Sequence, residues 1–183
     1  MGKIVLVTGG NRSGKSAYAQ NLAEGLPGPR TYVATCPVID AEMAQRVQKH
    51  KEARRHAEWE TIEETVDLAG VIRRAGAFRV LLVDCLTLWA NNLLYEAERL
   101  GRAFTEEDMA ERCRELIGAC GAFPGMVIFV TNEVGMGIIP QNETARRFGD
   151  LAGRMNQIIG AAAGTVTFLV SGLPLTLKTK ELT

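Results

Sequence analysis

"KIVLVTGGNRSGKS", Lys3 to Ser16, is the stretch from which the rest of the chain can be read. Ile4 to Val7 is an unbroken aliphatic run, as expected of a strand covered on both faces. Gly9 to Ser16, "GGNRSGKS", matches G-x-x-x-x-G-K-[ST] directly after it and directly before a helical segment. The spacing suits a phosphate-binding P-loop. Gly9 and Gly14 let the backbone wrap an anion without a Cβ in the way. The N–H groups of Gly10, Asn11, Arg12 and Ser13, with the helix N-terminus behind them, hold the phosphates. Lys15 reaches the β- and γ-phosphates, and Ser16 supplies a hydroxyl to Mg²⁺.

Outward from this loop, "TYVAT" (Thr31–Thr35), "VLLVD" (Val80–Asp84), "MVIFVT" (Met126–Thr131) and "VTFLVS" (Val166–Ser171) repeat the same kind of apolar run. Between them lie helical patterns at about Gly14–Glu24, Ala41–Ala57, Glu63–Ala75, Leu86–Leu100, Glu106–Cys120 and Glu143–Ala162. Strands alternating with helices predict an α/β fold. The prediction is a P-loop NTPase with a RecA-like, mostly parallel sheet and helices on both faces. "GLPLTLK" (Gly172–Lys178) is expected to turn back as a C-terminal antiparallel edge strand. No linker or repeat interrupts the pattern, so residues 1–183 read as one domain. Ligands in such sheets bind beyond the carboxyl ends of the strands.

Composition narrows the classes. The chain is 46% hydrophobic with a formal net charge of zero, so a core is available and bulk attraction to nucleic acid or an anionic membrane is not expected. No apolar run reaches the length of a membrane span. The N-terminus reads as a strand rather than a signal peptide. Cys36, Cys85, Cys113 and Cys120 show neither a C-x-x-C pair nor zinc spacing and read as small apolar residues of a reducing, cytoplasmic protein.

Two further strand ends carry candidates. Asp84 closes "LLVD" where a P-loop protein places an acidic group for its magnesium; a helix N-cap is the alternative. Asn132 and Glu133 follow the fourth apolar run in "VTNEVGMG". They belong to the active edge by position, with acceptor binding, support of the site and simple loop capping all open.

"RVQKHKEARRH", Arg46 to His56, holds both histidines of the chain. Arg46, His50 and Arg54 form an i, i+4, i+8 row with Lys51 and Arg55 alongside. A structural histidine on a solvated charged face is one reading. The other is chemical. Neighbouring cations disfavour imidazolium, a neutral imidazole is what nucleophilic attack requires, and the same cations suit a triphosphate. His56 ends the run and reads as surface.

Taken together, these segments resemble the bifunctional adenosylcobinamide kinase/adenosylcobinamide-phosphate guanylyltransferases. The resemblance rests on "VTGGNRSGKS", "YVAT", "AQRVQKHKEAR", Trp59/Thr61/Glu63, "LLVDCLTLWANNLL", "VTNEVGMGIIPQNETARRFGDLAGRMNQ" and "LVSGLPLTLK", and so covers nearly the whole chain. It implies phosphorylation of adenosylcobinamide by ATP or GTP. Transfer of GMP from GTP onto adenosylcobinamide phosphate then passes through a covalent histidine intermediate, here His50. It further implies nucleotide contacts from Gly9–Ser16, from Ala34, Thr35 and Cys36, from Lys51, Glu52, Ala53 and Arg54, and from Glu63 and Asp84. A homotrimer is implied as well. Read from the residues alone, a P-loop kinase of another small molecule and a nucleotide-dependent switch stay open.

Overall fold

The computed structural model describes residues 3–37, 59–76 and 79–179. The predicted helix Ala41–Ala57 lies outside the described residues. The described elements are β1 (Lys3–Gly9), α1 (Lys15–Glu24), β2 (Arg30–Ala34), β3 (Trp59–Glu63), α2 (Leu68–Arg74) and β4 (Val80–Asp84), then α3 (Leu86–Arg99), α4 (Glu106–Ala122), β5 (Met126–Val130), α5 (Glu143–Ala162), β6 (Thr165–Val170) and β7 (Leu173–Thr179).

The strands form one seven-stranded sheet in the order β3-β2-β4-β5-β1-β6-β7. All pairs are parallel except β6–β7, which is antiparallel, as expected from "GLPLTLK". The predicted α/β architecture, with helices on both faces, is therefore the observed one. Strand alternation builds the two faces. Ile4, Leu6, Leu81, Val83, Val127 and Phe129 join a core with α2, α3, α4 and α5. Val5, Val7, Leu82, Ile128 and Val130 point the other way, toward Ala19 and Ala23 of α1. Burial on both sides explains why the central strands read as continuous apolar runs.

One sequence expectation needs correction. A helix was expected from Glu63, but Trp59–Glu63 is a parallel edge strand paired with β2, and the helix begins at Leu68. The strand is half-exposed, so its residues Glu60, Thr61 and Glu63 carry no apolar run for pattern reading to find. The turn is set by polar side chains. Glu64 accepts from the N–H groups of Val66 and Asp67, and Asp67 caps the helix by accepting from Gly70 N–H. Helices α4 and α5 start on side-chain caps. Thr105 and Asp108 form a reciprocal capping box, and Asn142 accepts from Ala145 N–H. Cys85, Cys113 and Cys120 are free and buried. Among the described residues no helix is long and apolar enough to cross a membrane.

Candidate active site

The carboxyl ends of β1, β5 and β4 lie side by side. Val130 of β5 is level with Val7 on one flank and with Asp84 on the other. The P-loop leaves β1 at this edge, so the register alone brings the phosphate-binding loop to the strand that ends in Asp84.

The loop needs its glycines where it approaches other backbone. Gly9 has φ of 149°, and a Cβ there would collide with the carbonyl oxygen of Leu169. Gly14 caps α1 with φ of 94° and faces Gly172. The β6–β7 turn is tied in by Gly172 N–H donating to Ser13 O at 2.9 Å. Lys15 folds over the loop and donates from Nζ to Gly10 O at 2.6 Å. Its burial lowers its pKa below the ordinary lysine value, an effect opposed by the nearby Cys85 and Asp84. Ser13 Oγ is buried and has no hydrogen-bond partner among the described residues. A buried hydroxyl aimed nowhere is unusual in a finished structure and suits a site completed by a phosphate oxygen. These groups line a cavity of about 470 Å³ that includes Asn11, Arg12, Ser13, Gly14, Lys15 and Ser16, and with them Asp84, Cys85 and Asn132.

Asp84 is held from two sides. Tyr32 on β2 donates its hydroxyl to Asp84 Oδ2 at 3.1 Å. Thr35, fully buried, grips the next residue: its hydroxyl accepts from Cys85 N–H at 2.7 Å and donates to Cys85 O at 2.8 Å. Burial pushes the Cys85 thiol up to about 11, with the Asp84 charge adding to the effect. The thiol is therefore neutral near pH 7 and no thiolate nucleophile.

The remaining sequence candidates divide between the active edge and the residues outside the described structure. Ala34 is level with Glu63 on one side and Asp84 on the other, so Ala34, Thr35, Cys36 and Glu63 share the active edge. None of them is among the described lining of the cavity. Thr35 instead works from behind, as a clamp on the Asp84–Cys85 segment. His50, Lys51, Glu52, Ala53 and Arg54 lie outside the described residues.

Thr35 was expected to contact nucleotide and instead clamps Cys85, whereas Tyr32, the partner of Asp84, was not among the expected site residues. Which strand neighbours β4 is a tertiary fact, and it is the pairing of β2 with β4 that brings Tyr32 to Asp84.

Beyond β5, a hydrogen-bond network fixes Asn132 and Glu133. Asn156 of α5 donates from Nδ2 to Asn132 O at 3.1 Å and to Glu133 Oε1 at 3.0 Å. Thr8 Oγ1 donates to the same Glu133 oxygen at 2.9 Å, and Glu133 N–H donates to Gly9 O at 3.1 Å. Thr131 donates to Asn156 Oδ1 at 2.8 Å.

Oxygen donors of the kind Mg²⁺ prefers, the Ser16 hydroxyl and the Asp84 carboxylate, line the same cavity. Among the described residues no cluster of three or more His, Cys, Asp or Glu is present. A cation here would take its other ligands from phosphate and water, which is how Mg²⁺ binds in phosphoryl-transfer sites. The residues fit that group.

The chain is similar to proteins of known activity. A model of the cobinamide kinase / cobinamide phosphate guanyltransferase family matches residues 5–177. The bifunctional adenosylcobalamin biosynthesis protein CobP of Pseudomonas aeruginosa is 43% identical over 180 residues, spanning 97% of this chain and 98% of that protein. The bifunctional CobU proteins of Salmonella typhimurium and Escherichia coli are 41% and 38% identical, each spanning 96% of this chain and 99% of its own length.

Proposed function

The chain belongs to the cobinamide kinase / cobinamide phosphate guanyltransferase family, and on that premise we propose how its residues divide the two reactions. The protein is a cobinamide kinase and a cobinamide-phosphate guanylyltransferase of cobalamin biosynthesis, using ATP and GTP as substrates. The observation that carries the mechanism is the single cavity in which Lys15, Ser16 and Asp84 meet under the P-loop.

In the kinase step the substrate is adenosylcobinamide. Its aminopropanol hydroxyl oxygen bonds to the γ-phosphorus, and the bond from that phosphorus to the β–γ bridging oxygen breaks. The nucleoside diphosphate leaves. Lys15 and the loop N–H groups hold the β- and γ-phosphates and take up the charge that moves between them. When bound, Mg²⁺ would be held by Ser16 and Asp84 together with phosphate oxygens and would neutralise charge on the β- and γ-groups.

In the guanylyl step the bond to break is between the α-phosphorus and the α–β bridging oxygen. A neutral His50 imidazole attacks the α-phosphorus of GTP and pyrophosphate leaves, giving a guanylyl-histidine. A phosphate oxygen of adenosylcobinamide phosphate then attacks the same phosphorus and releases His50 and adenosyl-GDP-cobinamide. Both steps need charge stabilised on the β- and γ-phosphates, so one P-loop serves both. The basic run around His50 supports this assignment. Lys51–Arg54, the Ala34–Cys36 segment and Glu63 are proposed to contact the nucleotide as the family resemblance implies.

The protein acts as a cytoplasmic homotrimer in this reading, with residues 1–183 as one domain. A stripe on the outer strand pair supports assembly: Val170, Leu173, Leu175 and Leu177 are each at least half exposed.

Incubation with [α-³²P]GTP tests the guanylyl step. The protein is expected to take up acid-labile label, and His50→Ala is expected to take up none. Label on the His50→Ala protein would overturn the assignment of His50. Transfer of γ-phosphate to the small-molecule acceptor with no α-phosphate label on the wild-type protein would point to a plain kinase.

A further inference from the structure

β5 runs between the P-loop strand and the strand that ends in Asp84, and its exit carries a polar side chain that the mechanism above leaves unused. Ile128 and Val130 face α1, whereas Val127 and Phe129 face the other helices. The same alternation continues past the strand. Thr131 and Glu133 turn toward Asn156 of α5, where both are hydrogen bonded. Asn132 turns the opposite way and lines the cavity with Lys15, Ser16 and Asp84.

Its main chain is pinned at both polar groups. Asn132 N–H donates to Thr87 Oγ1 at 2.7 Å, and Asn132 O accepts from Asn156 Nδ2 at 3.1 Å. Thr87 is itself held by Thr131 at 3.2 Å. The carboxamide, by contrast, makes no hydrogen bond among the described residues. A half-buried amide on a rigid backbone, facing a phosphate cradle, is placed to complete its hydrogen bonds with a ligand.

Resting on the kinase reading above, we propose that the Asn132 carboxamide contacts the γ-phosphoryl group and the hydroxyl that attacks it. An amide both donates and accepts, which is what two different partners at one reacting centre require. Nδ2 donates to a γ-phosphate oxygen. Oδ1 accepts from the acceptor O–H and points the oxygen lone pair at phosphorus. The amide takes no proton. As the new P–O bond forms and the bridging P–O bond breaks, the hydroxyl proton passes to an oxygen of the transferred phosphoryl group and then to solvent. Thr87 and Asn156 are positioning residues, acting through the Asn132 peptide.

Two measurements test this. The first needs no acceptor: the preference for MgATP over MgADP in equilibrium binding. Loss of a hydrogen bond to a charged phosphate is expected to reduce that preference about tenfold in Asn132→Ala. The isosteric Asn132→Asp sets a carboxylate against the γ-phosphate and is expected to reduce it further. The second is cobinamide phosphorylation, where kcat for Asn132→Ala should fall about a hundredfold, as for loss of one transition-state donor, with a smaller change in KM.

An unchanged ATP-to-ADP preference in both variants would overturn the contact. Equal weakening of both nucleotides together with a lower melting temperature would make Asn132 merely structural and overturn it too. If the wild type failed to phosphorylate cobinamide while the nucleotide preference still fell in the variants, the functional reading would be lost and the γ-phosphate contact retained.

Discussion

The Thr35 hydroxyl closes a two-way bond with the peptide groups of Cys85, accepting from its N–H at 2.7 Å and donating to its carbonyl at 2.8 Å. The residue before Cys85 is Asp84, so the clamp sets where the acidic strand end sits. Thr35→Val keeps the shape and removes the hydroxyl. It leaves two buried backbone groups without that partner, each worth about 1–3 kcal/mol. The variant should be about 2–4 kcal/mol less stable in urea unfolding. It should also bind MgGTP more weakly through the displaced Asp84, which titration calorimetry would register.

Lys15 is a buried ammonium group whose pKa burial lowers. Between that lowered pKa and the ordinary lysine value of 10.5, the unfolded chain binds more protons than the folded one. Stability of the ligand-free protein therefore rises with pH across that window, and the cost of the buried charge is fully present below it. Lys15→Met removes the titrating group. It should abolish both transfer reactions while flattening the alkaline rise in stability. A variant that kept the wild-type pH dependence would assign the rise to another group.

Asn156→Asp is nearly isosteric but exchanges the Nδ2 donor for a carboxylate beside Glu133 Oε1, now 3.0 Å from that nitrogen. Two carboxylates at that distance cannot both ionise cheaply, so one pKa of the pair rises. The folded state then holds a proton that the unfolded state releases, and stability falls as pH rises through the carboxylate range. Denaturation at about pH 8 should find the variant about 1–3 kcal/mol less stable relative to wild type than at about pH 5. A constant deficit would show that the lost amide donor, not charge, sets the effect.

The outward leucines of β7 are the ground for assembly. Leu173 is 72% and Leu175 57% exposed, so replacing both with lysine should cost the monomer little. If copies meet through this strand, sedimentation velocity should show the double variant dissociating where the wild type does not. An unchanged sedimentation coefficient would remove β7 from the interface.

How far the molecule was legible in sequence varied with the kind of residue. The P-loop and Asp84 were readable because local chemistry dictates them: glycine at positive φ, lysine and serine at the helix start, an acid at the end of an apolar strand. The helix expected at about Glu143–Ala162 was readable from its periodic apolar pattern, and the structure shows Asn142 capping its start. β3 was missed because an edge strand buries only part of one face, so Trp59–Glu63 shows neither an apolar run nor clean alternation.

What the sequence determined by itself was the chemistry on offer: a triphosphate cradle, a metal-competent acid, a histidine among cations, and an α/β frame to carry them. Strand order was left to the tertiary structure, because it depends on packing between segments far apart in the chain. That order sets β5 between β1 and β4. Asn132 then lines the P-loop cavity, while Glu133 is hydrogen bonded away from it, to Asn156. Two adjacent polar residues that were indistinguishable along the chain are separated by the pleat, which sends neighbours to opposite faces of the sheet.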